Sequence, residues 1–216
     1  MDEQKAKGGT NTKFIDLTMP LNELTPVFPG DPKPEFKRVA SIEKEGWNEH
    51  RIHMNTHFGT HIDAPWHMLK NGKRLTDFPI DKFIGRAVVL DARGQKEIDL
   101  DLTAVKETNI LLLRTDHTRL IASPDFFEKN PVISRRLAER IVQKKVSIVG
   151  LDSYTPDNPP FEIHKLFLKN EVLILENLVN LDKIPTGVFT LYIFPIKLDK
   201  IDGAPCRVVA QIGRVP

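Results

Sequence analysis

The chain contains the stretch His57-Phe58-Gly59-Thr60-His61-Ile62-Asp63-Ala64-Pro65-Trp66-His67. It brings three imidazoles and one carboxylate into a short run, and five of the seven histidines of the chain lie between His50 and His67. A packed core gives no reason for such clustering, whereas imidazole and carboxylate groups together are ligands for zinc, manganese or iron. Gly59 and Pro65 suit a tightly turned loop better than a helix. The stretch therefore predicts a metal site built on a loop.

Composition places the chain among ordinary globular proteins. Of its 216 residues 40% are hydrophobic and 28% are charged, which predicts one domain over residues 13–216 after a polar, disordered start at residues 1–12. The net charge of +2 comes from 31 basic and 29 acidic residues that are interspersed, so no nucleic-acid partner is expected.

Neither a membrane nor an oxidising compartment is expected. The N-terminal residues lack the apolar segment of a signal peptide, and no apolar run approaches the roughly 20 residues of a spanning helix. The single cysteine, Cys206, excludes a disulfide framework and fits the reducing cytoplasm.

Hydrophobic patterning predicts a mixture of strands and helices. Alternation over residues 35–42 and 48–55 predicts an antiparallel pair, with His50 and His53 as surface or edge residues. Continuous apolar runs predict strands buried on both faces at residues 109–114, 146–151 and 172–175. Helices are predicted at residues 99–107, 135–145 and 161–169, with Asp99 capping the first and Ser134 the second.

The second half of the chain offers further ligands. His164 falls in the predicted helix 161–169, and Glu176 directly follows the buried strand 172–175, at a strand end where α/β proteins display site residues. Taken alone, His164 reads more simply as a surface histidine and Glu176 as a solvated charge. Phe28 lies in a loop with four prolines, residues 24–34, and is equally compatible with a plug over the core and with the aromatic wall of a pocket.

The opening motif resembles the signature of a known family. The pattern His57-x-Gly59-Thr60-His61-x-Asp63-Ala64-Pro65-x-His67 is similar to that of the cyclase family of metal-dependent hydrolases, which includes bacterial kynurenine formamidase (arylformamidase) and isatin hydrolase. His164 and the stretches at residues 26–31, 149–152, 176–178 and 203–207 extend the likeness over most of the chain.

The resemblance implies an α/β fold, a β-rich swivelling β/β/α barrel-like domain that assembles as a homodimer or tetramer. It also implies two divalent metal ions per chain, with zinc expected and manganese or iron as alternatives. The metal ligands that it implies are His57, His61, Asp63, His164 and Glu176. Asp63 and Glu176 are expected to contact both ions.

The same resemblance implies an enzyme that cleaves an amide C–N bond of a small molecule by metal-activated water. His67 is implied as the proton donor and acceptor, and Phe28 as a substrate-binding aromatic. The expected reaction is that of arylformamidase in tryptophan catabolism, which converts N-formylkynurenine to kynurenine and formate. Kynurenine formamidases typically have Trp at the position of Phe28 and often Ala at that of Thr60, so the substrate stays open.

Two alternatives remain. The first is a hydrolase of another cyclic amide or a lactone, similar to isatin hydrolase. The second is a non-catalytic binding module with a structural metal. A structural zinc site is normally closed by four ligands and often uses cysteine. The donors here contain no cysteine and exceed what one closed tetrahedron needs, which favours the enzyme.

Overall fold

The computed structural model describes residues 12–106 and 108–213. The strands are β1 (Lys13–Asp16), β2 (Glu35–Ala40), β3 (Glu49–His53), β4 (His61–Asp63), β5 (Ile84–Asp91), β6 (Glu97–Ile98), β7 (Ile110–Arg114), β8 (Val132–Ile133), β9 (Ile148–Leu151), β10 (Leu173–Glu176), β11 (Phe189–Pro195) and β12 (Gly203–Ile212). The α-helices are α1 (Ile42–Glu45), α2 (Asp125–Glu128), α3 (Arg135–Gln143) and α4 (Glu162–Lys169). Short 3-10 helices lie at Pro65–His67, Leu75–Asp77, Ile80–Phe83, His117–Leu120 and Leu181–Lys183.

The main sheet closes into a barrel of seven strands. Its order is β12, β11, β5, β7, β9, β10 and β4, and β4 pairs with β12 to complete the ring, while β1 pairs with β12 outside the ring. Strands β5, β7, β9 and β10 run parallel to one another, and β4 and β12 are antiparallel to their neighbours. The predicted β-rich α/β fold is confirmed.

Buried apolar runs build the centre of the sheet. Along β7, Ile110 and Leu112 pack into one hydrophobic core, whereas Leu111 and Leu113 pack into a second core on the opposite face. The second core also contains Leu137 of α3 and Phe167 of α4, so both helices cover that face. Because strands of this kind are buried on both sides, their sequences show no alternation.

Helix α3 begins as the sequence predicts. The Ser134 hydroxyl accepts a hydrogen bond from Leu137 N at 3.0 Å, which satisfies one of the free N–H groups of the first turn. The helix predicted at residues 99–107 is wrong, since the described residues there form only a turn. The carboxylate of Asp99 pairs instead with Arg136 and Arg140 of α3, so it does not cap a helix of its own.

The β2–β3 hairpin is a separate two-stranded sheet. Its strands pair antiparallel as predicted, and every residue of β3 is exposed, including His50 and His53.

Two further expectations concern the limits of the chain. Residues 1–12, predicted to be disordered, lie outside the described residues except for Thr12. A single domain over residues 13–216 stays a prediction. No helix among the described residues combines the length and the apolar character needed to cross a membrane.

Candidate metal centre

Barrel closure brings distant parts of the chain together. Strand β4 lies between β10 and β12, with His61 opposite Glu176 in one pairing and Asp63 opposite Gly203 in the other. Directly opposed residues on antiparallel strands place their side chains on the same face, and so do residues two apart on one strand. His61, Asp63 and Glu176 therefore share one face, and His164 of α4 approaches the same point.

The five predicted metal ligands form two overlapping clusters. In the first, His57 Nδ1 lies 2.7 Å and His61 Nε2 lies 3.3 Å from Asp63 Oδ1. In the second, His164 Nε2 lies 3.9 Å from Asp63 Oδ2 and 3.4 Å from Glu176 Oε1. Within each cluster the ligand atoms all lie within 4.8 Å of one another, so each could hold a metal ion, and Asp63 belongs to both.

The donors fit a cation on two further grounds. Asp63, His61, His164 and Glu176 are all buried, and burying two carboxylates is costly unless cations or donors surround them. Glu176 Oε1 is inaccessible to solvent and accepts no hydrogen bond from the part of the chain that the structure describes. A buried carboxylate oxygen without a donor is the group that a bound metal would satisfy.

In each histidine of the two clusters, the ring nitrogen that points away from Asp63 and Glu176 lies within hydrogen-bond distance of an oxygen. His61 Nδ1 lies 2.9 Å from the carbonyl oxygen of Gly59, and His164 Nδ1 lies 2.5 Å from Asp157 Oδ1. His57 Nε2 lies 2.8 Å from Asp202 Oδ2. Acceptors of this kind fix the ring and its tautomer, and they are typical of metal-binding histidines. The other nitrogen of His57 therefore faces Asp63, and those of His61 and His164 face both Asp63 and Glu176.

In the metal-free centre the pKa values of His57 and His164 are raised. Burial lowers the pKa of His57, but the charge of Asp63 and hydrogen bonds to Asp202 and Asp63 outweigh burial and raise this pKa to about 9. For His164, burial is likewise outweighed by the hydrogen bond to Asp157 and by the nearby charge of Glu176, which raise the pKa to about 10. A metal ion must displace these protons, so binding will release them.

The pKa values of the carboxylates shift in the opposite direction. Burial tends to raise the pKa of Asp63, but the charge of His57 and hydrogen bonds from His57 and His61 hold it well below its usual range. Hydrogen bonds from His57 and then His67 lower the pKa of Asp202. Both acids are therefore anionic at neutral pH, as metal ligands and their hydrogen-bond partners should be.

A cavity of about 650 Å³ opens on the metal centre. Five aromatic side chains line it together with the cluster residues: Phe28, Phe126, Phe127, Tyr154 and Phe161. The volume lies within the usual range for small-molecule sites. Apolar walls around a polar, charged floor suit an aromatic substrate whose reactive group faces the floor.

Two predicted residues lie on the wall of this cavity. Phe28 is 47% exposed, and its ring centroid lies 6.2 Å from that of Tyr154, so it forms part of the pocket wall and does not plug the core. His67, at the end of a 3-10 helix, lies against His57 with 3.9 Å between ring centroids and an angle of 37° between the ring planes. Its Nδ1 lies 3.3 Å from Asp202 Oδ2.

Sequence reasoning missed Asp157, Asp202 and four of the aromatic residues. Asp157 lies in a loop seven residues before His164, and Asp202 directly precedes β12. The residue after Asp202 shows how closely this loop approaches the site. A Cβ on Gly203 would lie 2.7 Å from His57 Cε1, so only glycine fits there and the loop must approach the site.

Comparison with known proteins agrees with this geometry. The family model described as "Putative cyclase" matches residues 15–158. The chain belongs to the cyclase family. The kynurenine formamidase of Bacillus anthracis is 32% identical over 208 residues, which cover 93% of this chain and 98% of that protein.

Solved structures of cyclase-family type share the fold. An isatin hydrolase bound to the product analogue thioisatinate superposes with a TM-score of 0.83 at 21% identity, covering 94% of this chain and 93% of that one. A "predicted metal-dependent hydrolase" from Bacillus stearothermophilus gives a TM-score of 0.74 at 26% identity, covering 93% and 98%. At 21% identity the first likeness concerns the fold alone.

Thr60 has a structural role in this cyclase-family chain. Thr60 is buried, its hydroxyl donates to the Asn177 carbonyl at 2.6 Å, and it accepts from Met19 N at 2.8 Å. It therefore ties the loop before β4 to the end of β10. Thr60 does not line the cavity described above, so its effect on substrate choice is expected to be small.

Proposed function

We propose that this chain is a metal-dependent hydrolase that cleaves an amide C–N bond in a small aromatic molecule. The proposed reaction converts N-formylkynurenine to kynurenine and formate. One observation carries the proposal: a set of three histidines and two carboxylates, all buried except the partly exposed His57, opens on an aromatic cavity. The 32% identity to the kynurenine formamidase of Bacillus anthracis over nearly the whole chain supports it.

The metal content that we propose is two divalent ions per chain. His57 and His61 would hold one ion and His164 the other, with Asp63 and Glu176 reaching both. When bound, such ions polarise a carbonyl oxygen and lower the pKa of water toward neutrality. We propose zinc, since mixed imidazole and carboxylate donors are typical of its catalytic sites, while manganese and iron accept similar ligands.

His67 is proposed as the group that moves the proton. Water adds to the formyl carbon, the C–N bond breaks, formate leaves with the oxygen of the water, and the aryl nitrogen gains a proton. His67 lies on the cavity wall with a quarter of its side chain exposed, and its Nε2 is the nitrogen not facing Asp202. It would take the proton from water and return it to the leaving nitrogen, a task suited to imidazole near neutral pH.

The aromatic wall is proposed to bind the aryl ring of the substrate. Phe28 and Tyr154 lie on one side of the cavity, and Phe161 contacts the ring of His164 edge-on with centroids 5.6 Å apart. Aromatic pairs of this kind add affinity beyond the area that they bury. The ring would thus be held with its formyl group toward Asp63 and Glu176.

The test is hydrolysis of N-formylkynurenine by protein stripped of metal and then reloaded with zinc, manganese or iron(II). Kynurenine absorbance and released formate measure the reaction. His67→Asn should lower kcat by about 10²- to 10⁴-fold while retaining metal, and His61→Ala should lose metal. Asp199→Ala, on an exposed loop outside the metal centre, is the control and should behave as wild type. Absence of turnover with every metal, or full activity of His67→Asn, would contradict the proposal.

A second candidate reaction is the opening of a cyclic amide such as isatin. Phe28 favours it, because kynurenine formamidases typically carry Trp at this position. The chemistry is the same, since water cleaves an amide C–N bond next to an aromatic ring. Comparing kcat/KM for N-formylkynurenine, isatin and an aromatic lactone on one metal-loaded preparation decides between the two.

We further propose that the protein is a homodimer that buries the β2–β3 hairpin. An isolated two-stranded ribbon is marginally stable in water. This one exposes Val39, Ile42, Trp47 and Ile52, an apolar surface typical of protein interfaces. Light scattering should report twice the chain mass for wild type and the chain mass for Trp47→Glu. A monomeric wild type would contradict this proposal.

The cytoplasm is the location that we propose. The single cysteine, Cys206, is free and buried, as is common in proteins of reducing compartments. Cell fractionation with detection of the untagged chain tests it, and recovery outside the cytoplasm would contradict it.

A further inference from the structure

Asp202 is fixed beside the site by its backbone. Its carbonyl oxygen accepts a hydrogen bond from Ala64 N at 2.8 Å, and the next residue, Gly203, pairs with Asp63 across β12 and β4. The carboxylate of Asp202 therefore occupies a position set by closure of the barrel, next to the histidine-rich stretch.

The two carboxylate oxygens have different partners. Oδ1 accepts a hydrogen bond from the Thr56 hydroxyl at 3.1 Å. Oδ2 lies 2.8 Å from His57 Nε2 and 3.3 Å from His67 Nδ1. The His57 and His67 rings are adjacent, with centroids 3.9 Å apart and planes tilted by 37°, so one oxygen contacts an implied metal ligand and the proposed proton carrier at once.

This arrangement decides which ring nitrogens carry protons. A carboxylate only accepts hydrogen bonds, so both nitrogens that face it must be protonated. His57 Nδ1 faces the Asp63 carboxylate at 2.7 Å and carries a proton there in the absence of metal, which a bound ion would displace, whereas His67 keeps Nε2 for the cavity. With the outer protons held by Asp202, His57 would offer Nδ1 to a metal ion and His67 would offer Nε2 to the substrate, as metal binding and proton transfer each require.

We propose that Asp202 is a positioning residue, which holds His57 with Nδ1 toward the metal cluster and His67 with Nε2 toward the substrate. The inference rests on the proposed function in that His67 is taken as the proton carrier. It makes one carboxylate common to metal binding and proton transfer, although Asp202 itself need touch neither metal nor substrate.

The same geometry also allows Asp202 a different role, as a metal ligand. His57, His67 and Asp202 lie close enough to form a third cluster able to hold a cation. In that case Asp202 would be a ligand, and removing it would change the number of metal ions bound. A positioning residue would leave this number at its wild-type value and change affinity and ring orientation.

The test compares Asp202→Ala and the nearly isosteric Asp202→Leu with Asp202→Asn, whose amide oxygen can still accept hydrogen bonds from both rings. The matched control is Asp199→Ala, which removes an exposed acid three residues earlier in the same loop. Three quantities are measured: the ¹⁵N chemical shifts of the histidine rings, zinc affinity by chelator competition with zinc per chain, and kcat with KM.

In Asp202→Ala and Asp202→Leu we expect kcat to fall by about 10- to 100-fold and zinc affinity to fall by about tenfold, with KM changed by less than about threefold. The His67 ring should populate both tautomers. Asp202→Asn should recover the tautomer and most of kcat. Asp199→Ala should match wild type in every readout.

Several results would overturn the inference. One is a folded Asp202→Ala or Asp202→Leu variant in which the His57 and His67 chemical shifts, the zinc affinity and kcat all equal the wild-type values. Another is loss of bound zinc in these variants and in Asp202→Asn, which would make Asp202 a ligand. The ring shifts and zinc affinity need no substrate. If wild type fails to hydrolyse N-formylkynurenine, the proposed function is therefore refuted while these readouts still decide the role of Asp202.

Discussion

Replacing Gly203 by alanine tests the contact between β12 and the histidine-rich stretch. A Cβ at this position would lie 2.7 Å from His57 Cε1 and 2.8 Å from the carbonyl oxygen of Ile62. The Ile62 carbonyl belongs to β4, where it cannot retreat without disturbing the pairing that closes the barrel. The His57 side chain can move more easily than the Ile62 backbone, so its ring should be displaced by several tenths of an ångström.

The magnitude follows from these two contacts. Overpacking of this kind costs about 1–3 kcal/mol in the free energy of unfolding. For a chain of this length that corresponds to a fall in Tm of about 2–12 °C. Because the displaced group is an implied metal ligand, zinc affinity should also fall by at least about tenfold.

The assay measures Tm by calorimetry with and without zinc, and zinc affinity by chelator competition. Gly85→Ala in β5 is the matched control, since its Cβ would lie 2.4 Å from Oδ1 of Asn109, a side chain that is not part of the metal centre. It should lower Tm and leave zinc affinity unchanged. A Gly203→Ala variant with wild-type Tm and wild-type zinc affinity would refute the reasoning.

Four further predictions concern the same site. Because the folded pKa values of His57 and His164 are raised to about 9 and about 10, their stabilisation of the metal-free fold is present below pH 6.5 and lost as pH rises through these values. Calorimetry from pH 6.5 to 10 should thus show Tm of the metal-free protein falling more steeply than that of the zinc-loaded protein, and parallel curves would contradict this. Asp157→Ala removes the partner of His164 Nδ1 and should lower zinc affinity by about 10- to 100-fold in chelator competition. Thr60→Ala breaks two buried hydrogen bonds and should cost about 1–3 kcal/mol of unfolding free energy in denaturant titration, with KM unchanged. Phe28→Trp should lower KM for N-formylkynurenine by about two- to tenfold in steady-state kinetics through a larger aromatic contact, and a raised KM would count against the pocket wall.

Local sequence patterns predicted much of the sheet and the elements that carry His164 and Glu176, whereas their role as ligands came from the family resemblance. The run before Glu176 is apolar at every position because β10 is buried on both faces, so its end was visible in the sequence. His164 was placed on a helix because Ile163 and Phe167 recur at helical spacing, and α4 buries both against the sheet. Where burial produces a regular spacing of apolar residues in the sequence, the secondary-structure element and its end can be predicted.

The parts that sequence reasoning missed depend on long-range pairing. Asp202 reaches His57 only because β12 closes the barrel against β4. No local sequence pattern indicates that these two strands, about 140 residues apart, pair with each other. The helix predicted at residues 99–107 failed for the same reason. Asp99 resembles a helix cap in sequence, yet its carboxylate is used by Arg136 of α3, a contact that only the tertiary structure reveals.

The most direct test of the central claim is the rate of N-formylkynurenine hydrolysis as a function of zinc bound per chain. The protein is stripped with a chelator, titrated with zinc and assayed for formate, while bound metal is measured by mass spectrometry. The account predicts no turnover for the stripped protein and a rate that rises until two zinc ions are bound per chain. Full activity of the stripped protein, or bound zinc without any formate release, would contradict it.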